Sequence, residues 1–134
     1  MNIMVVGGGG REHTIIKKLK KSKNVDKIYA LPGNGGIAAD AECVNIGATD
    51  IDGIVEFAKN HDIGYAVVTP DDPLALGAVD RLNEIGIPCF GPTAAAAQIE
   101  ASKVFSKNLM KKYGIPTAAF EVFENAADAL EYVK

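Results

Sequence analysis

Four consecutive glycines, Gly7 to Gly10, stand between an apolar run, Ile3-Met4-Val5-Val6, and a helix-patterned segment opening with Arg11-Glu12-His13. Few structures accommodate that junction. A short apolar run reads as a buried strand, and the glycines permit a tight turn straight into a helix. Such a turn aims backbone N–H groups and the positive end of a helix dipole at one point, which favours an anion. Arg11 adds a fixed positive charge with forked donors. The simplest ligand for Gly8–Arg11 is a phosphate, although the same residues also suit a plain strand-to-helix connection. A dinucleotide would want G-x-G-x-x-G and an acid closing the second strand. Gly7 and Gly9 fit, but Glu12 holds the third position. The second strand, Lys27 to Leu31, runs into Pro32 with no acid at its tip. A terminal phosphate monoester suits the corner better than NAD or FAD.

The rest of the pattern alternates. Strands are expected at 2–6, 27–31, 42–46, 65–69 and 88–90. Helices are expected at about 11–22, after a cap at Thr49 or Asp50, and from Pro73 to Glu84, with Ile15, Ile16 and Leu19, then Ile51, Ile54, Val55 and Ala58, facing inward. This alternation predicts βαβ units and a Rossmann-like open parallel sheet flanked by helices, an α/β fold. The loops Gly8–Arg11, Gly33–Gly36 and Asp71–Pro73 all follow strands, so they gather at the carboxyl edge where such sheets bind ligands. Asp71 and Asp72 could hold an amine or ribose hydroxyls, or could simply cap the helix that begins near Pro73.

Composition narrows the class. The chain has 134 residues and a formal net charge of −3, with 48% hydrophobic and 23% charged residues. That is an ordinary globular balance, and it argues against a nucleic-acid surface. Lysines 17, 18, 20, 21 and 23 read as the solvated face and last turn of one helix. No apolar run is long enough to span a membrane. Cys43 and Cys89 fall in expected strands without metal-ligand spacing and are expected as buried free thiols in a reducing cytoplasm.

After Gly91 the composition shifts. Thr93 opens a short helix to Gln98. Ser102 caps another bearing Val104, Phe105, Leu109 and Met110, and Gly114 stops it. An extended run follows from Ala118 to Phe123, and Asn125 caps a final helix. A strand and part of a helix cannot make a domain alone. The expected division is therefore a domain at 1–100 and the incomplete start of a second at 101–134, with a tail offered to self-association.

Several motifs occur together and in order: Val5-Val6-Gly-Gly-Gly-Gly-Arg11-Glu12-His13, Pro32-Gly33-Asn34-x-Gly36, Pro70-x-x-Pro73-Leu74, Phe90-Gly91-Pro92-Thr93, Ala95-Ala96-Ala97-Gln98, Ser102-Lys103-x-Phe105-x-Lys107 and Tyr113-Gly114-Ile115-Pro116-Thr117. The chain resembles, along essentially its whole length, the amino-terminal part of the phosphoribosylamine–glycine ligase (glycinamide ribonucleotide synthetase) family. The resemblance implies a pre-ATP-grasp domain followed by the truncated start of an ATP-grasp domain. It implies a cytoplasmic ligase of purine biosynthesis that joins 5-phosphoribosylamine to glycine using ATP and Mg²⁺ or Mn²⁺. Carried over, Gly9, Gly10 and Arg11 would cradle the substrate phosphate, and Glu12 would contact ribose or amine. Asn34, Gly36, Asp71 and Pro73 would line the same pocket. Lys103 would reach the ATP phosphates; without the resemblance it reads as a surface lysine. His13 reads as a helix-packing residue. The family's metal-binding carboxylates have no counterparts here, so this length of chain is expected to bind the sugar phosphate without catalysing. Two departures stand out: Thr69-Pro70-Asp71 where the family has Gly-Pro-Glu, and Ile37 where it has Thr. The alternatives are a stand-alone sugar-phosphate or dinucleotide-binding module, and another ATP-grasp ligase, against which the Gly-Arg-Glu-His run argues.

Overall fold

A computed structural model describes residues 1–134. Five parallel strands form one sheet. They are β1 (Asn2–Gly7), β2 (Lys27–Pro32), β3 (Glu42–Cys43), β4 (Ile63–Val68) and β5 (Cys89–Phe90), in the spatial order β3-β2-β1-β4-β5. The chain leaves β1 in one direction to build β2 and β3, then returns to place β4 on the other side of β1. The crevice outside the carboxyl ends of β1 and β4 is therefore the topological switch point.

Period-two alternation splits the strand residues between two cores. Ile3, Val5, Ile28, Ala30 and Val67 pack on one face with Ile16 from α1 (Gly10–Leu19) and Ile37 from a 3-10 turn at Ile37–Ala39. Met4, Val6, Tyr29, Leu31, Ala66 and Val68 pack on the other face. There they meet α2 (Ile51–Asn60), α3 (Asp71–Ala75), α4 (Ala78–Glu84) and α5 (Ala94–Ala101). Both faces of β1 are covered, which is why it reads as an unbroken apolar run. Ile16 is fully buried, and burial of a side chain of that size is worth about 1.5–3 kcal/mol.

Caps fall where side-chain chemistry expects them. Asp50 accepts the Gly53 N–H at 3.0 Å and starts α2. The segment after β4 differs from expectation: it is two helices rather than one. Gly77 adopts φ +85° between α3 and α4 and so breaks the run. Asp80 on α4 then accepts the Ala94 N–H at 2.8 Å and ties down the start of α5. Strand β3 is only two residues long, not five. The chain turns away at once, with Ile46 N–H donating to the Val44 carbonyl at 2.7 Å. As a consequence Cys43 lies on a short sheet edge and is exposed, not buried as expected. Cys89 is half-buried, and burial pushes its thiol up to about 11.

The chain divides into two compact units, Met1–Ala101 and Ser102–Lys134. In the second, Ser102 caps α6 (Lys103–Lys112) by accepting the Phe105 N–H at 3.2 Å. Asn125 caps α7 (Ala126–Tyr132) by accepting the Asp128 N–H at 3.0 Å. The run Ala118–Phe123 forms no strand, because this unit offers it no neighbouring strand to pair with. Lys107 instead donates to Thr117 Oγ1 at 2.6 Å and to the Ala118 carbonyl at 3.3 Å. Neither α6 nor α7 has a buried residue. No helix of the chain is long and apolar enough to cross a membrane.

Candidate anion-binding site

The glycine turn is shaped by what crowds it. Gly7 has φ +124°, and a Cβ there would lie 2.8 Å from Glu12 Cγ and 2.9 Å from Pro70 Cγ. A Cβ on Gly8 would strike the Gly33 carbonyl. The turn and the Gly33 loop thus run side by side, joined by Gly33 N–H to the Gly7 carbonyl at 3.2 Å. Asn34 braces the same junction. Its Nδ2 donates to the Gly8 carbonyl at 2.6 Å, while its Oδ1 accepts the N–H groups of Gly36 and Ile37 at 2.8 and 2.9 Å.

Glu12 is the one charged residue in the core, with 4% of its surface exposed. A buried carboxylate is costly unless hydrogen-bonded. Here Oε2 accepts the Gly9 N–H at 2.7 Å, and Oε1 accepts the Thr69 hydroxyl. Gly9 thus spends its N–H on the protein, which differs from its expected place in the phosphate cradle. The helical ladder starts with His13 N–H donating to the Gly9 carbonyl at 3.1 Å. The amides of Gly10, Arg11 and Glu12 precede that ladder and have no acceptor within the helix. A Cβ added to Gly10 would meet nothing within 4 Å.

A cleft of about 510 Å³ opens here, lined by Gly7 through Glu12 with Pro32, Ala48 and Pro70. A second, of about 440 Å³, is lined by Arg11, Thr69, Phe90, Pro92 and Glu100 among others. Arg11 borders both. Its side chain is exposed, and Nη1 donates to the Thr69 carbonyl at 2.9 Å. The other guanidinium donors remain for a ligand.

The expected site residues therefore divide. Gly9, Gly10, Arg11 and Glu12 line one cleft together. Asn34 and Gly36 stand behind it as a brace. Asp71 occupies the first turn of α3, whose N-cap is Pro70, so it favours the helix dipole and does not cap it. Pro73 is fully buried and is a packing residue, not a contact surface. His13, half-buried, bonds Asp40 at 3.0 Å, and Lys20 joins at 2.9 Å. The Lys20 ammonium, with His13 beside it, holds the Asp40 carboxyl below its ordinary value. Lys103 is exposed on the first turn of α6, beside a cleft of about 350 Å³ that also involves Lys107 and Phe120. The chain has no cluster of three or more His, Cys, Asp or Glu side chains arranged to hold a metal ion. Thr69, Pro70 and Ala48 were not named from the sequence as residues of this site, although Thr69 and Pro70 stand in the Thr69-Pro70-Asp71 stretch directly after β4.

Residues 1–100 match the family model described as phosphoribosylglycinamide synthetase, N domain. The chain belongs to the phosphoribosylglycinamide synthetase family. It is 48% identical over 136 residues to the phosphoribosylamine–glycine ligase of Allochromatium vinosum, covering 100% of this chain and 32% of that relative. The corresponding ligase of Listeria innocua is 50% identical over 134 residues, covering 99% and 32%. Among solved structures, the Thermotoga maritima phosphoribosylamine–glycine ligase superposes with a TM-score of 0.72 at 30% identity, covering 99% of this chain and 30% of that one. The chain thus spans about a third of the length of the curated synthetase relatives it matches.

Proposed function

We propose that this chain is the part of a phosphoribosylamine–glycine ligase that holds the sugar-phosphate substrate. The phosphate of 5-phosphoribosylamine sits against the amides of Gly10 and Arg11 and the Arg11 guanidinium. The observation that supports this most is the conjunction of these unengaged helix-start donors with Arg11 at the switch point of the sheet. Gly9 shapes the turn through Glu12, and Asn34 with Gly36 holds the neighbouring loop. Asp71, close after β4, is the remaining candidate for ribose hydroxyls or the amine.

In the complete reaction the glycine carboxylate takes the γ-phosphoryl group of ATP, releasing ADP. The ribosylamine nitrogen then attacks the acyl carbon and phosphate leaves. This chain contributes the nucleophile's binding site. Lys103, with its free ammonium on the first turn of α6, is the residue suited to ATP phosphates. The carboxylates present do not form a Mg²⁺ site, so no metal is assigned to residues of this chain. The assigned compartment is the cytoplasm, where soluble purine precursors are made.

A dinucleotide-binding module is disfavoured by two features. Glu12 fills the place of the third glycine and is buried there, and β2 ends at Leu31-Pro32 without an acid. Calorimetric titration with ribose 5-phosphate tests the proposal. Arg11→Ala is expected to weaken binding by about 1.5–3 kcal/mol through loss of a charge-assisted bond. Equal affinities for the two proteins would refute it.

A further inference from the structure

We infer that Thr69 is a positioning residue for the anion-binding turn, acting on Glu12 through its hydroxyl and on Arg11 through its carbonyl. This rests on the function proposed above. Arg11 and Glu12 are adjacent on α1 and carry opposite charges, yet the helix sends neighbouring side chains in different directions. Thr69, at the end of β4, meets both. Its hydroxyl donates to Glu12 Oε1, and its carbonyl accepts Arg11 Nη1 at 2.9 Å. The anionic side chain is thereby satisfied inward while the cationic one is braced at the cleft rim.

The consequence for a phosphate is electrostatic. Glu12 lies against the cleft, and an unsatisfied carboxylate oxygen there would turn toward water and toward the ligand's own negative charge. With the Thr69 hydroxyl in place, both oxygens are engaged by protein donors and Oε2 keeps the Gly9 N–H. A Cβ on Gly7 would stand 2.8 Å from Glu12 Cγ and 2.9 Å from Pro70 Cγ, and one on Gly9 would stand 2.8 Å from the Glu12 Oε2 tip. The turn wraps this carboxylate, and Thr69 holds it from the loop just past β4.

Three proteins test this: the wild type, Thr69→Val, which removes the hydroxyl and keeps the shape, and Thr69→Ser, which restores it. Thr69→Ala serves if the valine variant does not fold. Two quantities are read, Gly9 amide hydrogen exchange without ligand and the Kd for ribose 5-phosphate. Loss of the hydroxyl is expected to speed Gly9 exchange by about tenfold and to weaken ribose 5-phosphate binding by about five- to tenfold. Serine should return both to near wild-type values while exchange in β1 and α2 stays unchanged. Unchanged Gly9 exchange in Thr69→Val would overturn the inference whatever the ligand does. If wild type does not bind ribose 5-phosphate, the proposed function fails, and the Gly9 measurement still decides the role of Thr69. Serine failing to restore either quantity would also count against it.

Discussion

The Thr69 hydroxyl donates to the carboxylate of Glu12, a residue 57 positions earlier in the chain. The bond joins the end of β4 to the first turn of α1. It sits at the switch point of the sheet, just beyond the β1–β4 pairing that ends at Val6 and Val68.

Removing the carboxylate should therefore cost stability as well as binding. Glu12→Ala leaves the Gly9 N–H without its acceptor and empties a buried volume. Chemical denaturation should show a loss of about 2–4 kcal/mol. A change below about 0.5 kcal/mol, the range of ordinary surface substitutions, would mean that the turn does not depend on Glu12.

Packing makes a sharper contrast. Ile16 is fully buried between α1 and the sheet, whereas Leu130 on α7 is 61% exposed. Ile16→Ala should lower the unfolding free energy of the Met1–Ala101 unit by about 2–5 kcal/mol. Leu130→Ala should leave that unit within about 0.5 kcal/mol of wild type. Denaturation curves of the two variants compare them directly.

How far the sequence already implied this structure depends on how locally each feature is determined. The strand–glycine turn–helix unit was legible because an apolar run, four glycines and a helical pattern lie next to one another. The helix starts at Ser102 and Asn125 were legible because the capping oxygen and the N–H it accepts are three residues apart; at α2 the sequence left Thr49 or Asp50, and Asp50 caps. The engagement of Gly9 was not legible. Its acceptor Glu12 is near, but what fixes Glu12 inward is a hydroxyl 57 residues away, in the loop after β4. The exposure of Cys43 was hidden for a similar reason, since an apolar-looking run from Glu42 to Ile46 does not reveal that only its first two residues pair. The break at Gly77 was missed because a lone glycine in a helical pattern can also be tolerated within the helix.

The His13–Asp40–Lys20 cluster predicts a pH dependence. Lys20 and His13 hold the Asp40 carboxyl below its ordinary value in the folded chain. Its contribution is thus fully present above the unfolded carboxyl's range and is lost as pH falls through the lowered native value. Asp40→Asn should be less stable than wild type near neutrality, and the difference should shrink on acidification. A gap that widened toward low pH would contradict this.

The two cysteines should respond differently to an alkylating reagent. Cys43 is exposed, whereas Cys89 is half-buried with its thiol pushed up to about 11, which leaves little thiolate at neutral pH. Iodoacetamide on the folded chain, read by peptide mass spectrometry, should modify Cys43 and spare Cys89. Preferential labelling of Cys89 would show that β5 opens in solution.

The start of α1 is proposed to receive a phosphate monoester. The most direct measurement is an amide NMR titration of this chain with ribose 5-phosphate, with NAD added separately as the comparison. Saturable shifts centred on Gly8–Arg11 and extending to Gly33–Gly36 are expected with the sugar phosphate, and none with NAD. Saturable shifts with NAD but not with the sugar phosphate would contradict it.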